Sequence, residues 1–229
     1  MAAYEIMAEP RTRIVNQTVV KNFYQDACAE IHTIDGATPC MIGPAPFYNS
    51  WMLNESLMIN DTNTIYTTDY YVPTDFIESN ASSNYTYPGY YACNVALPGW
   101  TCVATHGVTP CFCENDWKQI VYVNKTWLEN ILLEYPLNFS SEYNVPYFIN
   151  QFGIYESVLE SNGKLVYIKD MLDILYENGI HSTQWVWKWK KPNSWQHFEL
   201  VHNYTNGTIG IETDLVDLIN QTWNKQYVS

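Results

Sequence analysis

Apolar positions along the chain fall into short runs separated by stripes at helical spacing. Tyr4-Glu5-Ile6-Met7 reads as a short strand, and Pro10 stops it because proline offers no N–H to a ladder. From Val15 to Ile31 the apolar residues recur every four positions. Val19, Phe23, Ala27 and Ile31, with Val20, Tyr24 and Cys28 beside them, predict a helix burying one broad stripe. Cys40-Met41-Ile42-Gly43 predicts a strand after the Asp35-Gly36 turn, and residues 44–63 read as a loop with one helical turn near Leu53. Thr64 to Thr68 is a β-branched strand that runs out into Asp69-Tyr70-Tyr71-Val72-Pro73.

The second half continues the alternation. Residues 80–115 predict a long irregular insertion, and residues 116–134 a helix ended by Pro136. Val145 to Asn150 is an apolar strand. Gln151 stands at its tip, and Gly153 lets the chain turn away. Gly163 to Asn178 is a helix with Leu165, Ile168, Met171, Leu172 and Leu175 on its buried face and Gly179 as its stop. Ile180 to Trp187 predicts a strand, and Glu212 to Trp223 a closing helix through Leu215, Leu218 and Ile219. Five strand–helix repeats imply an α/β fold with a parallel sheet and right-handed crossovers. The strands are short and apolar throughout, which fits a barrel better than antiparallel strands with one wet face. In such barrels chemistry sits where strands end. The ends here carry Glu9, Asp69 with Tyr71, Gln151, and Trp185.

Composition narrows the function classes. A length of 229 residues suits one domain spanning 1–229, with the cysteine-rich insertion at about 80–115 inside it. The net charge of -13 repels phosphate backbones and anionic lipid surfaces, so no nucleic-acid partner is expected. No apolar run reaches the ~20 residues of a membrane span. Nine tryptophans and nineteen tyrosines fit either core packing or a cleft whose flat rings suit sugar faces.

Ten asparagines stand in Asn-x-Ser/Thr sequons: Asn16, Asn54, Asn60, Asn80, Asn84, Asn124, Asn138, Asn203, Asn206 and Asn220. So many acceptors along one chain predict N-glycans. Six cysteines, Cys28, Cys40, Cys93, Cys102, Cys111 and Cys113, predict disulfides in an oxidising compartment, with Cys28 and Cys40 a local pair. A zinc site is the rival, but no Cys-x-x-Cys is present and only His106 lies within the cysteine-rich loop. The other histidines, His32, His181, His197 and His202, are not at ligand spacing, and no glycine-rich phosphate loop is present. Neither a metal nor a cofactor is therefore expected. Together these features predict a secreted glycoprotein. Residues 1–7 lack the basic and apolar regions of a signal peptide, so the signal is expected upstream of Met1.

Four of the strand ends carry a resemblance. Tyr4-Glu-Ile-Met-Ala-Glu-Pro10 resembles the fourth-strand motif of glycoside hydrolase family 5, the cellulase and mannanase family, usually Asn-Glu-Pro. Ile65 to Pro73 resembles its sixth strand, usually His-x-Tyr before a proline. Val145 to Gly153 resembles its seventh, usually ending Glu-Phe-Gly, and Gly179 to Trp187 its eighth. The resemblance implies a (β/α)8 TIM barrel, here incomplete and covering strands four to eight, as in the C-terminal part of a longer chain. It implies a retaining hydrolase acting on β-linked glucan or mannan.

Carried over by position, Glu9 resembles the acid/base, and Gln151 falls where the nucleophilic glutamate stands. Tyr71 matches the tyrosine that bonds the nucleophile, and Trp185 the sugar-stacking platform. Ala8 replaces the asparagine that holds the 2-hydroxyl, and Asp69 replaces the histidine. A neutral amide at 151 is a poor nucleophile, and Glu156 lies beyond the turn, off the strand tip. Weak or absent hydrolysis is expected. The alternatives are a carbohydrate-binding pseudoenzyme and a structural surface glycoprotein.

Overall fold

The computed structural model describes residues 3–10, 17–92, 120–186, 198–203 and 209–228. Its strands are β1 (Tyr4–Glu5), β2 (Cys40–Ile42), β3 (Thr64–Tyr70), β4 (Gly89–Ala92), β5 (Ile120–Val123), β6 (Tyr147–Phe152), β7 (His181–Gln184), β8 (Val201–Asn203) and β9 (Ile209–Ile211). The helices are α1 (Gln17–Ile34), α2 (Thr74–Ile77), α3 (Lys125–Leu132), α4 (Asn138–Tyr143), α5 (Lys164–Glu177) and α6 (Thr213–Val228). The main sheet has the order β1-β2-β3-β6-β7. Two compact units divide the chain, Met1–Tyr70 with Asn130–Gln151, and Tyr71–Glu129 with Phe152–Ser229. No helix among the described residues is long and apolar enough to cross a membrane.

In the first unit β1 pairs parallel with β2 and β2 parallel with β3, with Tyr4 opposite Cys40 and Ile42 opposite Tyr66. The residues entering and forming β6 join β3: Tyr66 N–H donates to the Pro146 carbonyl at 2.9 Å, and Thr67 Oγ1 to that of Phe148 at 2.8 Å. Helix α1 covers this sheet through Val20, Tyr24 and Cys28, which pack with Cys40, Ile42, Leu57, Tyr66 and Phe139. Burying each large apolar side chain contributes about 1.5–3 kcal/mol. The buried line is narrower than the sequence pattern suggests, since Val19 is 61% and Phe23 45% exposed. An α-helix turns only one flank to a sheet, so the two adjacent i+4 rows cannot both reach the core.

The second unit holds β4 and β5 as an antiparallel pair, with Gly89 opposite Val123 and Ala92 opposite Ile120. The expected helix over 116–134 therefore starts only at Lys125. Ile120-Val-Tyr-Val123 is a β-branched run better suited to a strand. Asn124 marks the real helix start, its Oδ1 accepting from Trp127 N–H at 2.9 Å. Pro136 does not end the helical path. It sits in a π-helical turn over Leu133–Leu137, whose wider ring fits a residue with no N–H, and α4 follows directly. Strand β7 stops at Gln184, before Trp185, and the expected loop after it contains the β8–β9 hairpin. Tyr167 anchors the unit's core, with ring contacts at 5.7 Å to Phe76 and 5.3 Å to Tyr87, and its hydroxyl donates to the Val72 carbonyl at 3.0 Å.

Candidate active site

A carboxyl cluster lies at the C-terminal ends of the first unit's strands. After β1 the chain bends, and Glu9 takes a left-handed backbone at φ 41 just before the buried Pro10. The loop after β2 has two more residues of this kind, Phe47 at φ 57 and Tyr48 at φ 52. Non-glycine residues in this region cost of order 1–3 kcal/mol each and gather at functional sites. The loop is held to β1 by Phe47 N–H, which donates to the Pro10 carbonyl at 3.2 Å, and by the Tyr48 hydroxyl, which donates to that of Met7. Gly43 makes room for Tyr48, because a Cβ there would lie 2.6 Å from its ring and 2.6 Å from the Thr67 carbonyl oxygen.

Asp69 enters from β3. Its backbone N–H donates to the Tyr48 carbonyl at 2.8 Å, and its side chain is only 7% exposed. The carboxyl hydrogen-bonds Glu9 and Asn150, while Oδ1 is buried with no hydrogen-bond partner. Burial first, then the nearby charges of Glu9 and Glu5, hold Asp69 well above the usual carboxylate range. A carboxyl buried beside other carboxyls ionises only at a cost, so Asp69 keeps its proton above the usual carboxylate range. Glu5, on β1, is raised chiefly by desolvation, partly offset by Asn150 and the nearby Tyr48 hydroxyl. Asn150 Nδ2 donates to Glu5 Oε1 at 3.1 Å.

Tyr24 extends the polar chain inward. Its hydroxyl donates to the Gly43 carbonyl at 3.0 Å and lies against Tyr48, and burial raises its pKa to about 12.

The structure therefore joins two of the expected residues, Glu9 and Asp69, and adds Glu5, Tyr48 and Asn150. Glu5 carried no separate signal in the sequence, because β1 ends at Glu5 and the chain bends before Glu9. Tyr48 lies in a loop with no sequence signal. Gln151 is half-buried on β6, directly after Asn150. Ala8 is exposed at the bend before Glu9.

Tyr71 and Trp185 belong to the second unit. The Tyr71 ring packs on Phe198 at 5.2 Å. Trp185 is half-buried and follows β7, its N–H donating to the Phe152 carbonyl at 2.8 Å. Gly153 is needed for that pairing, because a Cβ there would lie 2.3 Å from the Trp185 carbonyl oxygen.

Cys28 and Cys40 are free thiols in the core, side by side but unbonded, so the expected local pairing appears as adjacency without a bridge. Burial pushes both thiols up. Cys93, Cys102, Cys111 and Cys113 lie outside the described residues.

Residues 1–191 match the cellulase family, glycosyl hydrolase family 5. The chain belongs to glycoside hydrolase family 5. A search of curated proteins finds no match. Among solved structures, the family 5 chain resembles the cellulose synthase subunit Z of Clostridioides difficile at 16% identity and TM-score 0.63, covering 95% of this chain and 60% of that one. It resembles a hyperthermophilic endo-beta-1,4-glucanase solved with substrate at 20% identity and TM-score 0.63, covering 95% and 59%. Thermotoga maritima Cel5A solved with mannotriose matches at 15% identity and TM-score 0.60, covering 93% and 58%. The chain thus spans 58% to 60% of the length of these structures, as a partial barrel.

Proposed function

We propose that this family 5 chain engages a β-linked glucan or mannan, with hydrolysis weak or absent because an amide occupies the nucleophile position. The carrying observation is the contact of Asp69 with Glu9 at the strand ends of the first unit, with Gln151 one residue after Asn150 on β6. A retaining hydrolase needs two carboxyls about 5–5.5 Å apart, one to protonate the leaving oxygen and one to attack the anomeric carbon. Glu9 and Asp69 hydrogen-bond each other, closer than that spacing allows, so Asp69 does not replace the nucleophile. Glu9, hydrogen-bonded to a carboxyl that holds its proton, takes the first role in this proposal. The second role falls to position 151, where glutamine keeps the shape of glutamate without its charge.

Substrate-bound structures of a beta-1,4-glucanase and of Cel5A with mannotriose support the substrate class. By the family resemblance alone, Trp185 corresponds to a sugar-stacking platform and Tyr71 to the tyrosine of the sixth-strand motif. The same amide favours a second reading, a pseudoenzyme that binds oligosaccharide without cleaving it.

The proposal includes secretion and N-glycosylation, supported by the exposure of Asn54, Asn60, Asn80, Asn84, Asn138 and Asn220. Titrating the full-length protein with cello- and manno-oligosaccharides while following tryptophan fluorescence tests the binding claim. A saturable change supports it. No change leaves a structural glycoprotein, in which the aromatic rings are core and the glycans are the functional surface.

A further inference from the structure

One side-chain cluster lies apart from the carboxyl site and takes no part in the proposed sugar chemistry. Cys28 on α1, Cys40 at the start of β2 and Asp61 in the loop before β3 place one ligand atom each within 4.8 Å of one another. Tetrahedral zinc with sulfur at about 2.3 Å and oxygen at about 2.0–2.2 Å sets its ligand atoms about 3.4–3.8 Å apart, so small side-chain shifts close the site. Both thiols are fully buried, while the Asp61 side chain is 12% exposed and marks the entry side.

The surroundings fit a metal rather than a bridge. A disulfide has no use for a carboxylate, yet Asp61 is drawn in and held at both oxygens. Oδ2 pairs with His32 Nδ1 at 3.0 Å, and Oδ1 accepts from Asn63 N–H at 2.8 Å. Such outer partners orient metal-ligating carboxylates, and each oxygen keeps a lone pair for the ion. The other ring nitrogen of His32 faces the Thr38 carbonyl at 3.2 Å and Cys40 Sγ at 3.8 Å.

We propose that Cys28, Cys40 and Asp61 bind a zinc-class divalent ion, with His32 as the positioning residue and water in the fourth position. Two thiolates select a soft or borderline cation over calcium or magnesium. Binding displaces the two thiol protons to solvent and changes no oxidation state. The ion pins the end of α1, the start of β2 and the entry to β3.

Sequence offered only part of this signal. Cys28 and His32 are spaced i,i+4 on one helix face, but Cys40 and Asp61 join them only through the fold.

The test uses the full-length protein, chelator-stripped and kept reduced, titrated with Co2+ and then Zn2+. One equivalent of Co2+ should give a thiolate charge-transfer band that Zn2+ removes, and Zn2+ should raise the melting temperature. Asp61→Asn, which keeps the size of the side chain, should weaken binding at least 10-fold. Cys28→Ser with Cys40→Ser should lose the band, and serine at Cys93, Cys102, Cys111 and Cys113 together should retain it. A band unchanged in Asp61→Asn overturns the site, as does no band in the parent. A Cys28–Cys40 cross-link in peptide maps of the unreduced protein also overturns it, in favour of a disulfide.

Discussion

The Asp69 carboxyl hydrogen-bonds that of Glu9, and its own Oδ1 is buried without a partner. A lone buried carboxylate would be costly here, and a retained proton on Asp69 removes much of that cost. This pairing carries a pH signature. A carboxyl raised by burial binds its proton more tightly in the folded chain than in the unfolded one, where its pKa is about 3.9. Its contribution to stability is therefore full below about pH 4 and is lost as pH rises toward the raised value, at up to about 1.4 kcal/mol per pH unit. Asp69→Asn should flatten that decline and raise the melting temperature at pH 7, while leaving it little changed or lower at pH 3. A parent whose stability rises steadily from pH 4 to 7, with no difference in Asp69→Asn, contradicts the raised Asp69 carboxyl.

Gly153→Ala should destabilise the second unit by about 1–3 kcal/mol, the usual cost of overpacking. The added methyl would meet the Trp185 carbonyl oxygen at 2.3 Å, a rigid backbone atom. Gly179→Ala has open space around it and only its left-handed φ of 63 to oppose it, so about 1 kcal/mol is expected. Urea midpoints should rank parent above Gly179→Ala above Gly153→Ala. The reverse order would remove the close approach of the β6 end to Trp185.

Lys164 is 2% exposed at the start of α5, and its Nζ donates to Glu212 at 2.9 Å and to the Glu156 carbonyl at 3.1 Å. Glu212→Gln would leave the ammonium buried with its counter-charge gone, at about 3–5 kcal/mol. Lys164→Met leaves Glu212, which still meets solvent, so a smaller loss of about 1–2 kcal/mol is expected. Equal losses in the two variants, by denaturant unfolding, would show that the pair is not buried in solution.

Much of the fold was legible because short apolar runs alternating with helical stripes allow few topologies. β1, β2, β3, β6, α1 and α5 fall close to their expected places. What failed depended on local competition. Ile120 to Val123 lay inside a helix-like window, and only the cap at Asn124 separates the two readings. Pro136 read as a stop because the rule assumes an α-helical ring, and a π turn relaxes it. At the site, Glu9 and Asp69 were visible as strand ends. Tyr48 and Asn150 matter only because the chain folds them against Glu5, a contact 145 residues apart for Asn150.

Glu9→Gln should abolish any residual hydrolysis of cello-oligosaccharides by the full-length protein, since it removes the proposed acid. Tryptophan-detected binding should persist, because the amide keeps the size of the side chain. Residual hydrolysis that survives Glu9→Gln assigns the acid elsewhere.

The proposed vacancy at the nucleophile position is tested most directly by Gln151→Glu. Initial rates on aryl cello- and manno-oligosaccharides, measured for the full-length parent and the variant at matched concentration, should rise by at least about 100-fold in kcat, on the order of one restored catalytic group. A parent that already turns over at the variant's rate, or a variant that binds oligosaccharide with no gain in kcat, would contradict the claim that position 151 alone withholds the chemistry.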